Sequence, residues 1–167
     1  AFTGSTEVAR IIAQTLAGKE GPLVPLIAET GGQNTLIADS SALPEQIVRD
    51  VVASAFNSAG QRCSALRVLY VQADIADRVC ELLAGAMQEL TIGDPADPRT
   101  DVGPVIDEAA RQVLAAHARW LDSFAQPIFT CPLDEEATRH GTFFAPRAYE
   151  IDSIARLDRE VFGPILH

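Results

Sequence analysis

Apolar residues recur at helical spacing over four stretches of this chain, with short unbroken apolar runs between them. From Ser5 to Ala17 the residues Val8, Ile11, Ile12 and Leu16 mark one helix face, and Gly18 is placed to stop it. A second helix is predicted over 44–57, with Pro44 in its first turn and Ile47, Val48, Val51, Val52, Ala55 and Phe56 along one face. A third spans 75–90, turning Val79, Leu82, Leu83, Ala86 and Leu90 inward. The fourth spans 108–124 and uses Val113, Leu114, Trp120, Leu121 and Phe124.

The runs between these helices are short enough to be strands. Pro22–Ala28 is one, with Pro25 confining it to an edge or a strand start. Asn34–Asp39 and Leu66–Val71 are two more, and Ile128–Cys131 and Phe143–Ile151 are shorter extended pieces. Residues 91–106 carry Gly93, Pro95, Pro98, Gly103 and Pro104 and are predicted as loop. The β-α-β-α order predicts an α/β fold, a layered αβα arrangement around a largely parallel sheet.

Composition narrows the class. A hydrophobic share of 47% and a charged share of 22% are those of a folded globular chain. With 13 basic against 23 acidic side chains, the net charge of −10 argues against sequence-independent binding of nucleic acid or anionic membrane. Three cysteines, at 63, 80 and 131, form no C-x-x-C pair and no zinc-type spacing, and the three histidines show no ligand spacing. No metal is assigned, and a reducing, cytoplasmic setting is expected. No apolar run reaches the roughly 18 residues of a membrane span. The opening Phe2-Thr3-Gly4-Ser5-Thr6 reads as a strand-to-helix turn without its strand, and the chain stops as an apolar segment begins at Pro164. Both ends lead us to expect a piece of a larger protein.

Four short segments could carry chemistry. Cys63 lies among Gly60, Gln61, Arg62 and Ser64, where backbone N–H groups and a nearby charge could stabilise a thiolate. A buried structural thiol is the ordinary alternative for a free cysteine. Glu29 follows an apolar run, where partial burial would raise its pKa and suit it to act as a general base; a solvated loop acid is the alternative. Gly31 and Gly32 beside it permit close approach of a ligand to the backbone. Gly4, Ser5 and the free N–H groups of a helix start could receive a phosphate, or Ser5 could simply cap the helix. Glu160 could accept from ribose hydroxyls and Phe162 could pack on a flat heterocycle, the alternative being a turn with a core phenylalanine. Cys80 and Cys131, on a helix face and in a short strand, are expected to be structural.

Taken in order, these segments resemble the aldehyde dehydrogenase family. The resemblance rests on Phe2-Thr-Gly-Ser-Thr-Glu-Val8, Glu29-x-Gly-Gly-x-Asn34, Gly60-Gln-x-Cys63 and Glu160-x-Phe-Gly-Pro164, and it runs essentially end to end. More narrowly, Glu29-Thr-Gly-Gly-Gln-Asn34, Asp39-Ser-Ser-Ala-Leu-Pro-Glu45 and Phe56-Asn-Ser-Ala-Gly-Gln-Arg-Cys-Ser-Ala-Leu-Arg67 are similar to the glutamate γ-semialdehyde dehydrogenase domain of bacterial bifunctional proline utilisation proteins.

The resemblance implies NAD-dependent oxidation of L-glutamate γ-semialdehyde to L-glutamate in proline catabolism, with Cys63 as nucleophile and Glu29 as base toward water. It further implies that Gly4, Ser5, Gly31, Glu160 and Phe162 serve the cofactor and that Ser64 helps to bind the substrate carboxylate. On that basis residues 1–30 are expected to be the tail of a Rossmann-like cofactor domain and 31–167 part of the catalytic domain. An oxyanion-hole amide, a ribose-binding lysine, the substrate-anchoring loop and the oligomerisation strand would lie outside the chain. The isolated segment would then be inactive. The parent would be a homo-oligomer, and a fused FAD-dependent proline dehydrogenase domain is compatible with the resemblance. An aldehyde dehydrogenase of other specificity, or a non-catalytic module of the same fold, are the competing expectations.

Overall fold

A computed structural model describes residues 1–167. The chain divides into two compact units, Ala1–Gly32 and Gln33–His167.

In the first unit, β1 (Phe2–Thr3) pairs in parallel with β2 (Ala28–Glu29), Phe2 opposite Ala28 and Thr3 opposite Glu29. Between them runs α1 (Thr6–Ala17), capped by the Ser5 hydroxyl, which accepts from Val8 N–H at 3.3 Å. The helix stops at Gly18, whose N–H donates to the Gln14 carbonyl at 3.1 Å. The strand predicted over Pro22–Ala28 contracts to Ala28–Glu29. Pro25 has no N–H to donate, the paired stretch of β1 is itself two residues long, and Leu23 is 96% exposed. The strand predicted as missing before α1 is present as β1, and of the expected apolar face of α1, Val8 and Ile11 are exposed while Ala9 is buried.

The second unit follows its predicted order closely. β3 (Thr35–Ala38) leads into α2 (Pro44–Phe56), and β4 (Val68–Val71) returns parallel to β3, with Thr35 opposite Val68 and Ala38 opposite Val71. After it come α3 (Ala73–Gln88), α4 (Glu108–Leu121), β5 (Gln126–Thr130) and the short α5 (Glu135–Thr138), which has no counterpart in the sequence reading. The chain closes with β6 (Arg147–Glu150) and β7 (Ile165–Leu166). β6 pairs antiparallel with β5 and parallel with β7. Beyond β7, Leu69 N–H donates to the His167 carbonyl at 2.8 Å and His167 N–H to the Arg67 carbonyl at 2.9 Å. These bonds have the parallel pattern and stitch the β3–β4 pair to the β7 edge, so the sheet is largely parallel, with β5 the antiparallel exception.

α2 packs on α3. Their apolar faces meet in one core that holds Val51, Phe56, Val79, Leu83 and Met87, and Leu114 and Leu121 of α4 join it. Residues 91–106 are irregular but anchored: Ile92 bridges Val102, and Ile92, Val102 and Val105 are buried.

Leu114 is fully buried and Ile106 is 83% exposed. Leu114→Ala is expected to lower unfolding stability by about 2–5 kcal/mol and Ile106→Ala by no more than about 0.5 kcal/mol, as read from urea denaturation.

Candidate active site

The segment that carries Cys63 is shaped by its backbone. α2 ends at Phe56, and the tight turn Asn57–Gly60 that follows puts Ser58, Ala59 and Gly60 at φ +56°, +52° and +63°. A non-glycine residue in the left-handed region costs about 1–3 kcal/mol and persists only where surrounding structure imposes it. Here Ala59 is 1% exposed, and Gly60 lies so close to a neighbouring turn that a Cβ on it would fall 2.3 Å from the Gly163 carbonyl oxygen. The turn lifts Arg62, Cys63 and Ser64 to the surface, and Ala65–Val68 then return to the core.

Side-chain amides hold this loop. Asn34 Nδ2 donates to the carbonyls of Cys63 at 2.6 Å and Ala65 at 2.9 Å, clamping the backbone on both sides of Ser64. Gln61 Oε1 accepts from Ile106 N–H at 2.8 Å, tying the turn to the irregular 91–106 segment. Cys63 is therefore an exposed thiol on a fixed loop, contrary to the buried structural alternative.

Arg67 ties the loop to the Glu160–Pro164 turn. It is 1% exposed, and it donates to Glu160 Oε1 from Nε at 3.1 Å and from Nη2 at 3.0 Å. Nη1 reaches the Gly163 carbonyl at 3.0 Å, and Nη2 the Arg62 carbonyl at 3.4 Å. The Glu160 side chain is itself 6% exposed. Burial pulls the Arg67 guanidinium below its usual pKa, and hydrogen bonding and charge from Glu160 oppose that shift. The guanidinium carbon also lies 5.2 Å from the ring centroid of Phe162, a residue that is 44% exposed and not part of the core. Glu160, Phe162 and the Cys63 loop are thus assembled round one buried cation.

Of the remaining predicted residues, Gly4, Ser5, Glu29 and Gly31 lie in the first unit. Glu29 ends β2 and is exposed, so the expected partial burial is absent here. Its carbonyl accepts from Gly4 N–H at 3.1 Å. Ser5 makes the N-cap of α1, leaving its O–H as a donor, and Gly4 lies against Phe2, whose ring a Cβ would meet at 2.5 Å. Gly31 is exposed, as is Ser64 in the second unit. Cys131 is buried and its thiol, directed at the Met87 carbonyl at 3.2 Å, is pushed up to about 11 by burial. Burial likewise raises the Cys80 thiol. No group of three or more His, Cys, Asp or Glu side chains is placed to hold a metal ion.

Two features escaped the sequence reading. Arg67 stood at the end of a recognised segment with no role, because its partner Glu160 is 93 positions away. The second is a histidine pair, His117 of α4 and His167 after β7, with Nε2 atoms 3.1 Å apart. His167 Nδ1 lies 3.0 Å from the Arg67 carbonyl, an acceptor only, so that nitrogen carries the proton and His167 Nε2 accepts from His117. Trp120 stacks on His117 at 5.3 Å. Val113 and Trp120, expected inward, instead line an open cleft of about 410 Å³ with His117 and Arg156. Burial, helped by the neighbouring His167, holds His117 down at about 4.

The chain belongs to the aldehyde dehydrogenase family, whose model matches residues 1–167. It is 50% identical to the bifunctional protein PutA of Escherichia coli (strain K12) over 99% of this chain and 13% of that protein. It is 32% identical to a 1-pyrroline-5-carboxylate dehydrogenase of Geobacillus thermodenitrificans over 99% of the chain and 32% of that enzyme. A crystal structure of a Bradyrhizobium japonicum proline utilization A mutant superposes with a TM-score of 0.93 at 57% identity, covering 99% of this chain and 17% of that one. The chain thus spans a small part of the relatives it matches.

Two expectations follow. Because folded His117 titrates at about 4 against an ordinary 6.5, the unfolded chain binds the proton first. The contribution of His117 to stability is therefore fully present above about pH 6.5 and is lost as pH falls toward 4. Urea midpoints across that range are expected to fall, and His117→Gln to flatten the fall. Gly60→Ala is expected to destabilise by more than about 1 kcal/mol, since it adds a strained φ to the Gly163 clash; thermal melts of the two chains check this.

Proposed function

We propose that this chain is part of an NAD-dependent aldehyde dehydrogenase that oxidises L-glutamate γ-semialdehyde to L-glutamate. The observation that carries the reading is the exposed Cys63 thiol on a loop clamped by Asn34 and by the Arg67–Glu160 pair. Family membership and the relatives named for proline utilization and 1-pyrroline-5-carboxylate dehydrogenase support the substrate.

The residues fit a dinucleotide. Phe162 offers an exposed ring for a flat heterocycle, and Glu160 is an ion-paired carboxylate beside it, suited to ribose hydroxyls. Ser5 keeps a donor O–H at the start of α1, where the helix dipole favours a phosphate and Gly4 adds no side chain. Gly31 leaves its backbone open to a ligand. NAD, when bound, supplies the acceptor for the hydride leaving the substrate carbon.

Cys63 Sγ, as thiolate, adds to the aldehyde carbon and makes a thiohemiacetal; with the hydride gone, a thioester remains on Sγ. Glu29 takes a proton from water, the hydroxide adds to the thioester carbonyl, and the thiolate departs with the acid released. Ser64, next to the nucleophile and exposed, donates to the substrate's distal carboxylate. The first unit acts in this reading as the end of the cofactor domain. The whole enzyme is a cytoplasmic homo-oligomer, joined to an FAD-dependent proline dehydrogenase domain as in a bifunctional protein; no helix of this chain is long and apolar enough to cross a membrane.

A protein of the relatives' full length carrying this segment is expected to reduce NAD with glutamate γ-semialdehyde, and Cys63→Ala is expected to abolish that activity. Retained activity in the variant would remove Cys63 from the role, and a preference for uncharged aldehydes across a substrate panel would overturn the glutamate assignment. Residues 1–167 alone are expected to turn over little or no aldehyde in the same assay.

A further inference from the structure

The most heavily bonded buried side chain in the second unit is given no step by the proposed chemistry. Arg67 gathers four groups around one guanidinium: Glu160 Oε1, the Gly163 carbonyl, the Arg62 carbonyl and the Phe162 ring. The Arg62 carbonyl is one peptide from Cys63. Glu160 and Phe162 are the residues read above as serving the ribose hydroxyls and a flat heterocycle of the dinucleotide. No other side chain among these contacts joins the two segments.

The packing leaves little slack between them. Gly60, at the end of the left-handed turn, has no room for even a Cβ against the Gly163 carbonyl, and Gly163 in turn has none against Leu114, whose Cδ2 a Cβ would meet at 2.3 Å. A shift of the Glu160–Gly163 turn must therefore be passed to the turn before Cys63 or be absorbed at the guanidinium. A planar fork with five donors in fixed directions can satisfy these acceptors together; a lysine ammonium carries the charge but lacks the fork.

We propose that Arg67 is a positioning residue that locks the Cys63 loop and the Glu160–Phe162 segment into one block, so that dinucleotide affinity and thiol reactivity depend on the same side chain. The proposal rests on the NAD-dependent reading. It goes beyond that reading by assigning to a residue outside the reacting groups the geometry of both binding and nucleophile.

The test uses the full-length protein with Arg67→Lys and Arg67→Met, and reads three quantities. These are the NAD dissociation constant by calorimetry, the rate of Cys63 alkylation by iodoacetamide without NAD, and the melting temperature. Loss of one charge-assisted bond is enough for about a tenfold change in affinity. Arg67→Lys is expected to remain folded, to weaken NAD binding about tenfold and to slow Cys63 alkylation about threefold or more. In turnover, KM for NAD rises together with a fall in kcat. An arginine of structural importance alone would lower melting temperature and the amount of active protein while the folded fraction kept its NAD affinity and alkylation rate, and that result would overturn the proposal. Should Arg67→Met fail to fold, Arg67→Lys decides by itself, because it keeps the charge opposite Glu160. If the unsubstituted protein bound no NAD and oxidised no aldehyde, the functional reading would fall and the proposal with it. Normal NAD binding and alkylation in a folded Arg67→Lys protein would sink the proposal while leaving the reading in place.

Discussion

The burial of the Arg67 charge is the constraint on which the candidate site is built. Taking an ion of this size out of water costs on the order of several kcal/mol even after the protein relaxes, and removing one partner of such a pair leaves the other uncompensated. The chain answers with a carboxylate on the same donors and with backbone carbonyls from two further positions. Each acceptor must be brought to the guanidinium. The demand of one buried cation thereby fixes where the loop before Ala65 runs and where the turn after Arg159 lies.

The backbone before Cys63 is under a second, related constraint. Three successive left-handed residues are an unfavourable way to leave a helix, and they are found where the chain must reverse sharply to bring an exposed thiol over a buried anchor. The strain is held by contact: Ala59 is enclosed, Gly60 meets the Gly163 carbonyl, and Asn34 Nδ2, at the start of the neighbouring strand, donates to the carbonyls on both sides of Ser64. A loop so held cannot wander. That is the property a nucleophile needs if it is to meet a substrate carbon at a set distance from a cofactor.

Much of this fold could be read from the sequence where a single period was strong. In α2 and α3 the spacing marks Ile47, Val48, Val51, Val79 and Leu83 as inward, and they are core residues. Met87 was missed there, although it is fully buried. Legibility failed where apolar residues do not signal burial. Leu23 and Val24 are exposed beside a proline that cannot pair, and Val113 and Trp120 line an open cleft next to a histidine pair. In the site, the ordered segments pointed to Cys63, Glu160 and Phe162, yet nothing local in Ala-Leu-Arg67 shows that its arginine will meet residue 160. Such a pairing is set by the parallel bonds that bring His167 to β4, and it becomes visible only once the chain is folded. Glu29 illustrates the converse: its position after a strand was legible, but its expected burial was not realised in this chain.

In the proposed reaction Cys63 forms the acyl bond and Glu29 drives its hydrolysis. The most direct test is mass spectrometry of the Glu29→Gln full-length protein, quenched after mixing with NAD and glutamate γ-semialdehyde. A glutamyl adduct is expected on the peptide containing Cys63, formed together with a burst of NADH and persisting because water is no longer activated. Product release at the normal rate with no adduct, or an adduct on Cys80 or Cys131 instead, would contradict it.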